Sequence, residues 1–422
     1  MFRFCLAALL AVSIVCAADP NPNEPSWPTF RGPKRDNISP DTGLLKEWPE
    51  GGPKLLWSSE GVGKGYASVT VAAGKVFTMG TADGKTWIYA IDAVKGGEPI
   101  WKAEVGIGGS ESYKGSRCTP TYDDGLVYGI GSAGDLVCVT ADKGEEKWRK
   151  SFKKDYKGAS GGWQFSESPL IDGDRLVCTP GGKDATIVCF DKKTGKEIWK
   201  SAAGGTAGYA SIVIGNAGGV KQYVTLIGAG TVGVDAKDGK LLWTYSKFAG
   251  NTANIPSPVP LGDKVFTTAG YGKPMSLIEL KSADGKFTVE PIYEKGSIGN
   301  RLGGVVVLGD LVFSDQDMSG NLYCADWKTG EIKWRRNDVK GKTRGTGSSS
   351  AALAYADGYL YVHYQNGVMA LVPATDKGYE EKGSFKVPGS GRSESWAHPV
   401  VIGGKLYLRE DSTVHCYDVK AK

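Results

Sequence analysis

The chain is poor in the residues that carry most metal and acid–base chemistry. Its 422 residues include three histidines, at 363, 398 and 415, in no metal-ligand spacing. Among eight cysteines there is no adjacent Cys-Cys pair. Runs of five or six like charges are absent. Basic residues number 51 against 46 acidic ones, a formal +5, or +4 once Arg3 leaves with a leader. Both signs are interspersed, so nothing marks an electrostatic footprint for nucleic acid or anionic lipid. No long amphipathic helical pattern occurs either, and only one apolar run has any length.

That run extends from Phe4 to about Ala17, behind Arg3 and ahead of Asp19. It is too short to span a membrane, and nothing downstream stops transfer. It reads as a secretory signal peptide over residues 1–18, cleaved near Ala17 or Ala18, which sends the protein to the periplasm or the medium. Cys16 invites lipidation, but Val15 before it is too bulky for a good lipobox. Residues 19–50 form a Pro-rich lead-in, densest at SWPTFRGPKRDNISP.

Glycine is abundant instead, at 61 residues, about twice the usual share of ~7%. Many tight turns follow, and the aromatic and β-branched content points to an all-β fold. DKKTGKEIWK (191–200) shows how the turns are used. Its relatives are DAVKGGEPIWK (92–102), ADKGEEKWRK (141–150), DAKDGKLLWTY (235–245) and DWKTGEIKWRR (326–336). Trp101, Trp148, Trp199, Trp243 and Trp334 close five units, with gaps of 47, 51, 44 and 91 residues. Tyr293 fills the long gap, and Phe385 marks a seventh closure. Three short apolar strands separated by Gly/Asp turns precede each closure. Four strands per ~45 residues is the signature of propeller blades.

The repeated phrase has a physical reading. The Asp191 carboxylate accepts backbone N–H bonds and starts the turn. Lys192 to Thr194 carry a type I turn, and Gly195 takes φ > 0 where a Cβ would clash. Trp199 then lies on the outer strand, where it wedges neighbouring blades apart. Its loss would cost roughly 3–5 kcal/mol.

Inner strands are expected to begin near Ser68, Thr119, Ser168, Ser211, Ser257, Gly304, Ala351 and Ala397, which makes eight blades. Small residues suit those positions, because eight strands converge on one axis. The last unit has three strands and no closing Trp. GGPKLLWSS (51–59), carrying Trp57, is its missing strand. The expectation is therefore an eight-bladed propeller of four-stranded antiparallel blades over 51–422, closed by its N-terminal strand and monomeric. The lead-in would lie extended across a blade or the rim.

Cys138, Cys189, Cys324 and Cys416 sit in matching contexts, LVC, IVC, LYC and VHC, and so share one structural position in four units. They are too far apart to bridge. Cys178 and Cys189 flank a plausible hairpin, TPGGKDATIV. Two alternatives stay open there: a cross-strand disulfide, or two small buried hydrophobes.

The closure D-x-x-T-G-K-x-x-W with its Gly-rich lead resembles the tryptophan-docking repeat of PQQ-type, quinoprotein-like propellers, in particular exported bacterial ones. The resemblance covers nearly everything from residue 51. WD40 repeats fit poorly, because Trp is followed here by Lys, Arg or Thr. The resemblance implies two classes of function. Some members are alcohol dehydrogenases holding pyrroloquinoline quinone (PQQ) and calcium in the axial funnel. Others bind no cofactor and act as protein-binding scaffolds, like the propeller lipoprotein of the outer-membrane β-barrel assembly machinery. A quinone site needs cations for its carboxylates, an aromatic floor, oxygen ligands for calcium and a carboxylate base.

Candidates just ahead of the inner strands are Tyr66, Arg117, Trp163, Glu167, Tyr209, Asn254, Asn300, Arg301, Trp396 and His398. Glu167 would be the base or an oxygen ligand and Asn254 a second ligand. Arg117 and Arg301 would meet carboxylates, and Trp163 or Trp396 would stack. Dehydrogenases of this family often carry a disulfide of adjacent cysteines over the quinone, which is missing here. The balance favours a non-catalytic scaffold with a protein partner, a small molecule, or a carbohydrate or other polymer at the funnel mouth. GKTRGTGSSS (341–350) resembles a phosphate loop in composition alone and lacks its spacing.

Overall fold

A computed structural model describes residues 24–109, 113, 115–339, 345–391 and 393–422. The expected leader and residues 341–344 of GKTRGTGSSS lie outside the described residues. The described chain forms eight four-stranded antiparallel sheets. Blades 1 to 7 run over 70–107, 121–151, 170–201, 213–245, 259–295, 306–335 and 351–386. Blade 8 takes three strands from 400–418 and its outer strand from Lys54–Ser59. Leu55 pairs with Tyr417 and Trp57 with Cys416, so the two ends of the chain share one sheet. Helix is confined to short turns such as Phe152–Tyr156.

The repeated phrase builds the joint between blades. Asp191 Oδ1 accepts from the N–H groups of Lys193 and Thr194 (3.1 and 2.8 Å) and from the Thr194 hydroxyl (2.7 Å). Gly195 sits at φ +67°, and a Cβ there would lie 2.7 Å from the Trp148 ring of the preceding blade. The glycine thus serves two purposes, backbone freedom and a seat for the neighbour's indole. Trp148 Nε1 donates to Lys192 O at 3.0 Å in the same turn. Trp57 meets Gly96 of blade 1 in the same way, which closes the ring.

Opposite the docking residue sits one repeated position. Cys138, Cys189, Cys324 and Cys416 face Trp148, Trp199, Trp334 and Trp57 respectively. All four are buried and unbridged. Cys178 pairs with Val188 and Cys189 with Val177, so the two cysteines are one register step apart. Alternation of side chains then sends them to opposite sheet faces, where they join different core clusters. The disulfide alternative is thereby corrected; both thiols are free.

The inner strands start two residues later than expected in blades 1 to 6 and at Val400 in blade 8; blade 7 starts at Ala351 as read. The small residues have left the ladder to bond around the axis. Backbone N–H groups of Ser68, Thr119, Ser168 and Ser211 donate to the hydroxyls of Thr119, Ser168, Ser211 and Ser257, at 2.9 to 3.2 Å. Ser68 Oγ completes the step back to blade 8 by donating to His398 O at 2.6 Å. This hydroxyl belt spans blades 1 to 5. At Gly304 of blade 6 contact with blade 7 replaces it, and a Cβ there would lie 2.5 Å from Leu353 N.

The lead-in does not follow the rim; it crosses the axis on the underside. Trp27 pairs with Val71 of blade 1, Tyr122 N of blade 2 bonds Pro28 O, and Ser39 N reaches Tyr355 O of blade 7. Leu45 N ends on Val419 O beside blade 8. Between these anchors two buried guanidiniums serve backbone carbonyls. Arg31 donates to Val305 O of blade 6 at 2.8 Å. Arg35 donates to Ile212 O at 2.8 Å, Ser168 O at 3.1 Å and Pro169 O, at blades 4 and 3. Burial lowers both arginine pKa values to about 10, which leaves them charged at neutral pH. A buried charge without such partners would be costly.

Candidate functional site

On the face opposite the lead-in, the axis opens into a cavity of about 370 Å³. Alternation along the extended approach to each inner strand decides what lines it. Counting back two residues from the axial positions gives Tyr66, Arg117, Ser166, Tyr209, Ile255, Leu302, Ser349 and Trp396, and all but Ser349 line the cavity. Here the eighth axial position is His398 rather than Ala397, because Ser68 bonds its carbonyl.

Seven of the ten candidates therefore come together: Tyr66, Arg117, Trp163, Tyr209, Arg301, Trp396 and His398. Glu167, Asn254 and Asn300 do not line the cavity, and this corrects the expectation that they would. Glu167 and Asn254 stand at the opposite parity. The Glu167 carboxyl turns inward, accepting from Thr179 N at 2.7 Å and Thr179 Oγ1 at 3.1 Å. Burial pushes its pKa up to about 8, against the Thr179 bonds and the charge of Arg35. Asn254 donates to Ile227 O at 2.7 Å and Phe248 O at 3.2 Å. Asn300 donates to Ser314 Oγ at 3.2 Å and to Asp315, and accepts from Gly303 N. These two amides brace loops.

Residue-by-residue reading missed Phe30, Tyr113, Tyr271 and Met318. Phe30 comes from the lead-in and packs edge-on against His398, with ring centroids 4.9 Å apart. The other three stand exposed among the lining, at 40%, 37% and 66%. Residue type just ahead of the inner strands is the signal that finds the other candidates, Trp163 and Arg301 among them at the opposite parity, and these four lie on the lead-in and on loops further out.

The walls differ from side to side. Trp396 leans on Tyr66 and Tyr113, with centroids 4.6 and 5.0 Å away and planes 37° and 48° apart. Arg117 lies 5.5 Å from the Tyr66 ring and donates to Tyr113 O at 2.6 Å. Tyr209 accepts at its hydroxyl from Trp163 N at 3.0 Å, and their rings are 6.1 Å apart at 59°. The facing side carries Ala253, Ile255, Leu302 and Met318. Arg301 pairs with Asp317 at 3.2 Å and donates to Gln365 at 2.8 Å.

Trp396 is held from behind. Ser395 Oγ donates to Glu410 at 2.8 Å, and Glu410 meets His363 Nε2 at 2.8 Å. His363 Nδ1 bonds Ala397 O at 2.9 Å. Burial alone would lower the His363 pKa, but the Glu410 bond and charge outweigh it and raise the value. Acceptors thus face both ring nitrogens and fix the His363 ring in place.

Four polar atoms of the lining are buried and make no hydrogen bond within the described residues: Trp396 Nε1, Ser166 Oγ, His398 Nδ1 and Arg301 Nε, of which Arg301 Nε faces the carboxylate of Asp317 at 3.2 Å. His398 Nε2 donates to Leu302 O at 2.9 Å, so Nδ1 is the bare acceptor. Burial is the main cause that lowers the His398 pKa, to about 4, which keeps the ring neutral.

Comparison with known proteins agrees with this architecture. A family model described as outer membrane protein assembly factor BamB matches residues 84–336. Quinohemoprotein alcohol dehydrogenase ADH IIB of Pseudomonas putida is 28% identical over 159 residues, 34% of this chain and 22% of that enzyme. The match thus spans about a fifth of the enzyme's length. BamB from Moraxella catarrhalis superposes with a TM-score of 0.60 at 15% identity, over 87% of this chain and 98% of that one. For quinohemoprotein alcohol dehydrogenase from Comamonas testosteroni the values are 0.64 and 14%, over 94% and 81%. At such identities the solved structures show the fold alone.

The fold raises the question of PQQ and calcium. The guanidiniums of Arg117 and Arg301 suit a polyanion. Calcium wants six to eight oxygen ligands with carboxylates among them. Among the described residues no Asp or Glu lines the cavity, and no three His, Cys, Asp or Glu side chains gather to hold a metal. The described donor set fits the quinone in part and the calcium not at all, so no dehydrogenation step is derived from it. On its matched repeats and its eight docked blades, the chain belongs to the PQQ-like β-propeller family.

Proposed function

We propose that this protein is an exported propeller that binds a ligand in its axial funnel without transforming it. One observation carries the reading: the described lining offers rings, hydroxyls and guanidiniums but no carboxylate, and its one imidazole, His398, is a weak base with its pKa lowered to about 4 by burial. The exposed Tyr113, Tyr271 and Met318 enlarge the binding surface beyond a closed pocket. They suit a ligand or partner that extends past the mouth, and the assembly-factor description of the family model is consistent with such a binding role. Periplasmic or secreted placement follows from the leader-like N-terminus and belongs to the same proposal.

The test is direct. Purified protein is incubated with PQQ and calcium, and alcohols and a dye acceptor are added. No dye reduction above a boiled control is expected. Sustained reduction that is lost in Arg117→Ala or Trp396→Ala would overturn the proposal in favour of a quinoprotein alcohol dehydrogenase.

A further inference from the structure

The lining holds a more specific message about its ligand. Buried polar atoms left without partners cost about 1–3 kcal/mol each, and three of them, apart from the ion-paired Arg301 Nε, border one cavity. Each states a requirement. Trp396 Nε1 is a donor only, so it asks for an acceptor. His398 Nδ1 is an acceptor whose other nitrogen is committed to Leu302 O, so it asks for a donor. The ring is 94% buried and neutral, so it cannot meet an anion as an imidazolium. Ser166 Oγ serves in either role. Groups that donate and accept at once, as hydroxyls do, satisfy all three.

Ring geometry adds the second requirement. The wall rings pack on one another, with centroids 4.6 to 6.1 Å apart, and leave no gap for a flat ligand between them. Here the neighbouring rings are splayed, at 37° for Tyr66 and Trp396, 48° for Tyr113 and Trp396, and 59° for Trp163 and Tyr209. Their tilts present apolar faces and edges to the cavity from one wall, a surface on which the C–H groups of a saturated ring can rest. Resting on the funnel-binding reading, we infer that the ligand is a pyranose sugar unit, its C–H faces on the aromatic wall and its hydroxyls on Trp396 Nε1, Ser166 Oγ and His398 Nδ1. A cavity of about 370 Å³ with an open, tyrosine-bearing mouth then accepts one part of a longer saccharide and lets the remainder leave.

Isothermal titration calorimetry on the full mature chain tests this, with cellohexaose, maltohexaose and oligogalacturonate as separate probes and PQQ as the flat competitor. Saturable binding of at least one saccharide is expected. Trp396→Phe keeps a ring and removes the N–H, so it should weaken that binding about tenfold, the equivalent of one hydrogen bond of ~1.4 kcal/mol. Ser166→Ala should weaken it less, and neither change should move the melting temperature by more than a few degrees. If all three saccharides fail while PQQ binds in a Trp396-dependent way, the sugar assignment falls and the funnel reading stands. If no probe binds, both fall. Saccharide binding unaffected by Trp396→Phe and Ser166→Ala would place the sugar elsewhere and overturn the assignment.

Discussion

The rim and the axis of this propeller obey different rules. At the rim six of the eight blade junctions repeat one joint, a turn glycine with the large ring of the preceding blade laid on it, the turn being Asp-initiated in copies such as 191–195 and 326–330; Trp243 and Trp334 meet no such glycine. At the axis the blades diverge. Blades 1 to 5 carry a hydroxyl belt, blade 6 has Gly304 and blade 8 has His398. One step above the belt the residues run from Tyr66 to Arg117, Ser166, Tyr209, Ile255, Leu302 and Trp396. Repetition serves closure of the ring, where each joint must do the same work. Divergence serves recognition, because a ligand is not eightfold symmetric.

The largest test of this contrast is removal of the closing strand. Deleting 51–59 takes Trp57 from Cys416 and from its seat at Gly96, and leaves blade 8 with an open edge. Loss of the cooperative thermal transition is expected in calorimetry. A melting curve like that of the full chain would mean that the end-to-end sheet contributes nothing.

A finer pair of variants separates docking from backbone strain. Gly195→Ala meets both a positive φ and the Trp148 ring, and should cost about 3 kcal/mol. Gly262→Ala meets a positive φ of +57° with nothing nearby, and should cost about 1 kcal/mol. Equal losses in urea unfolding would show that the docked ring is not felt.

On the axis, His398 should make the protein acid-sensitive. Its folded pKa of about 4 lies below its ordinary value of 6.5. Between these limits the unfolded chain binds the extra proton, so this contribution to stability is present above pH 6.5 and lost as pH falls toward 4. His398→Gln should narrow the gap in melting temperature between pH 7 and pH 4.5; an unchanged gap would assign the acid response to other groups. A similarly small effect is expected from Ser257→Ala. It removes the acceptor of Ser211 N and the donor to Ser211 O, at about 1–2 kcal/mol, measured by the same urea titration.

The rim was legible in the sequence because a repeated joint leaves a repeated phrase. Even the departures, Tyr293 and Phe385, were found by their spacing, and Trp57 by the strand missing from blade 8. The axis was half legible. Choosing candidates by residue type brought in Glu167 and Asn254, which a count of side-chain alternation from Ser168 and Ser257 would have set aside. The Cys178 and Cys189 alternative had the same root, since one register step decides the face. The lead-in's course left no signal, because Arg31 and Arg35 bond to backbone carbonyls, which any sequence supplies.

The shared sheet of blade 8 also bears on how the molecule comes to exist. Trp57 waits for Cys416, and Arg31 for Val305, across most of the polypeptide. A chain emerging from the ribosome can stack blade upon blade but holds no finished ring until its final strand, Thr413–Asp418, is made. Contacts of such long sequence separation make folding slow. Assembly of the whole circle therefore waits for that strand, and removal of Thr413–Asp418 should harm folding as deeply as removal of Lys54–Ser59.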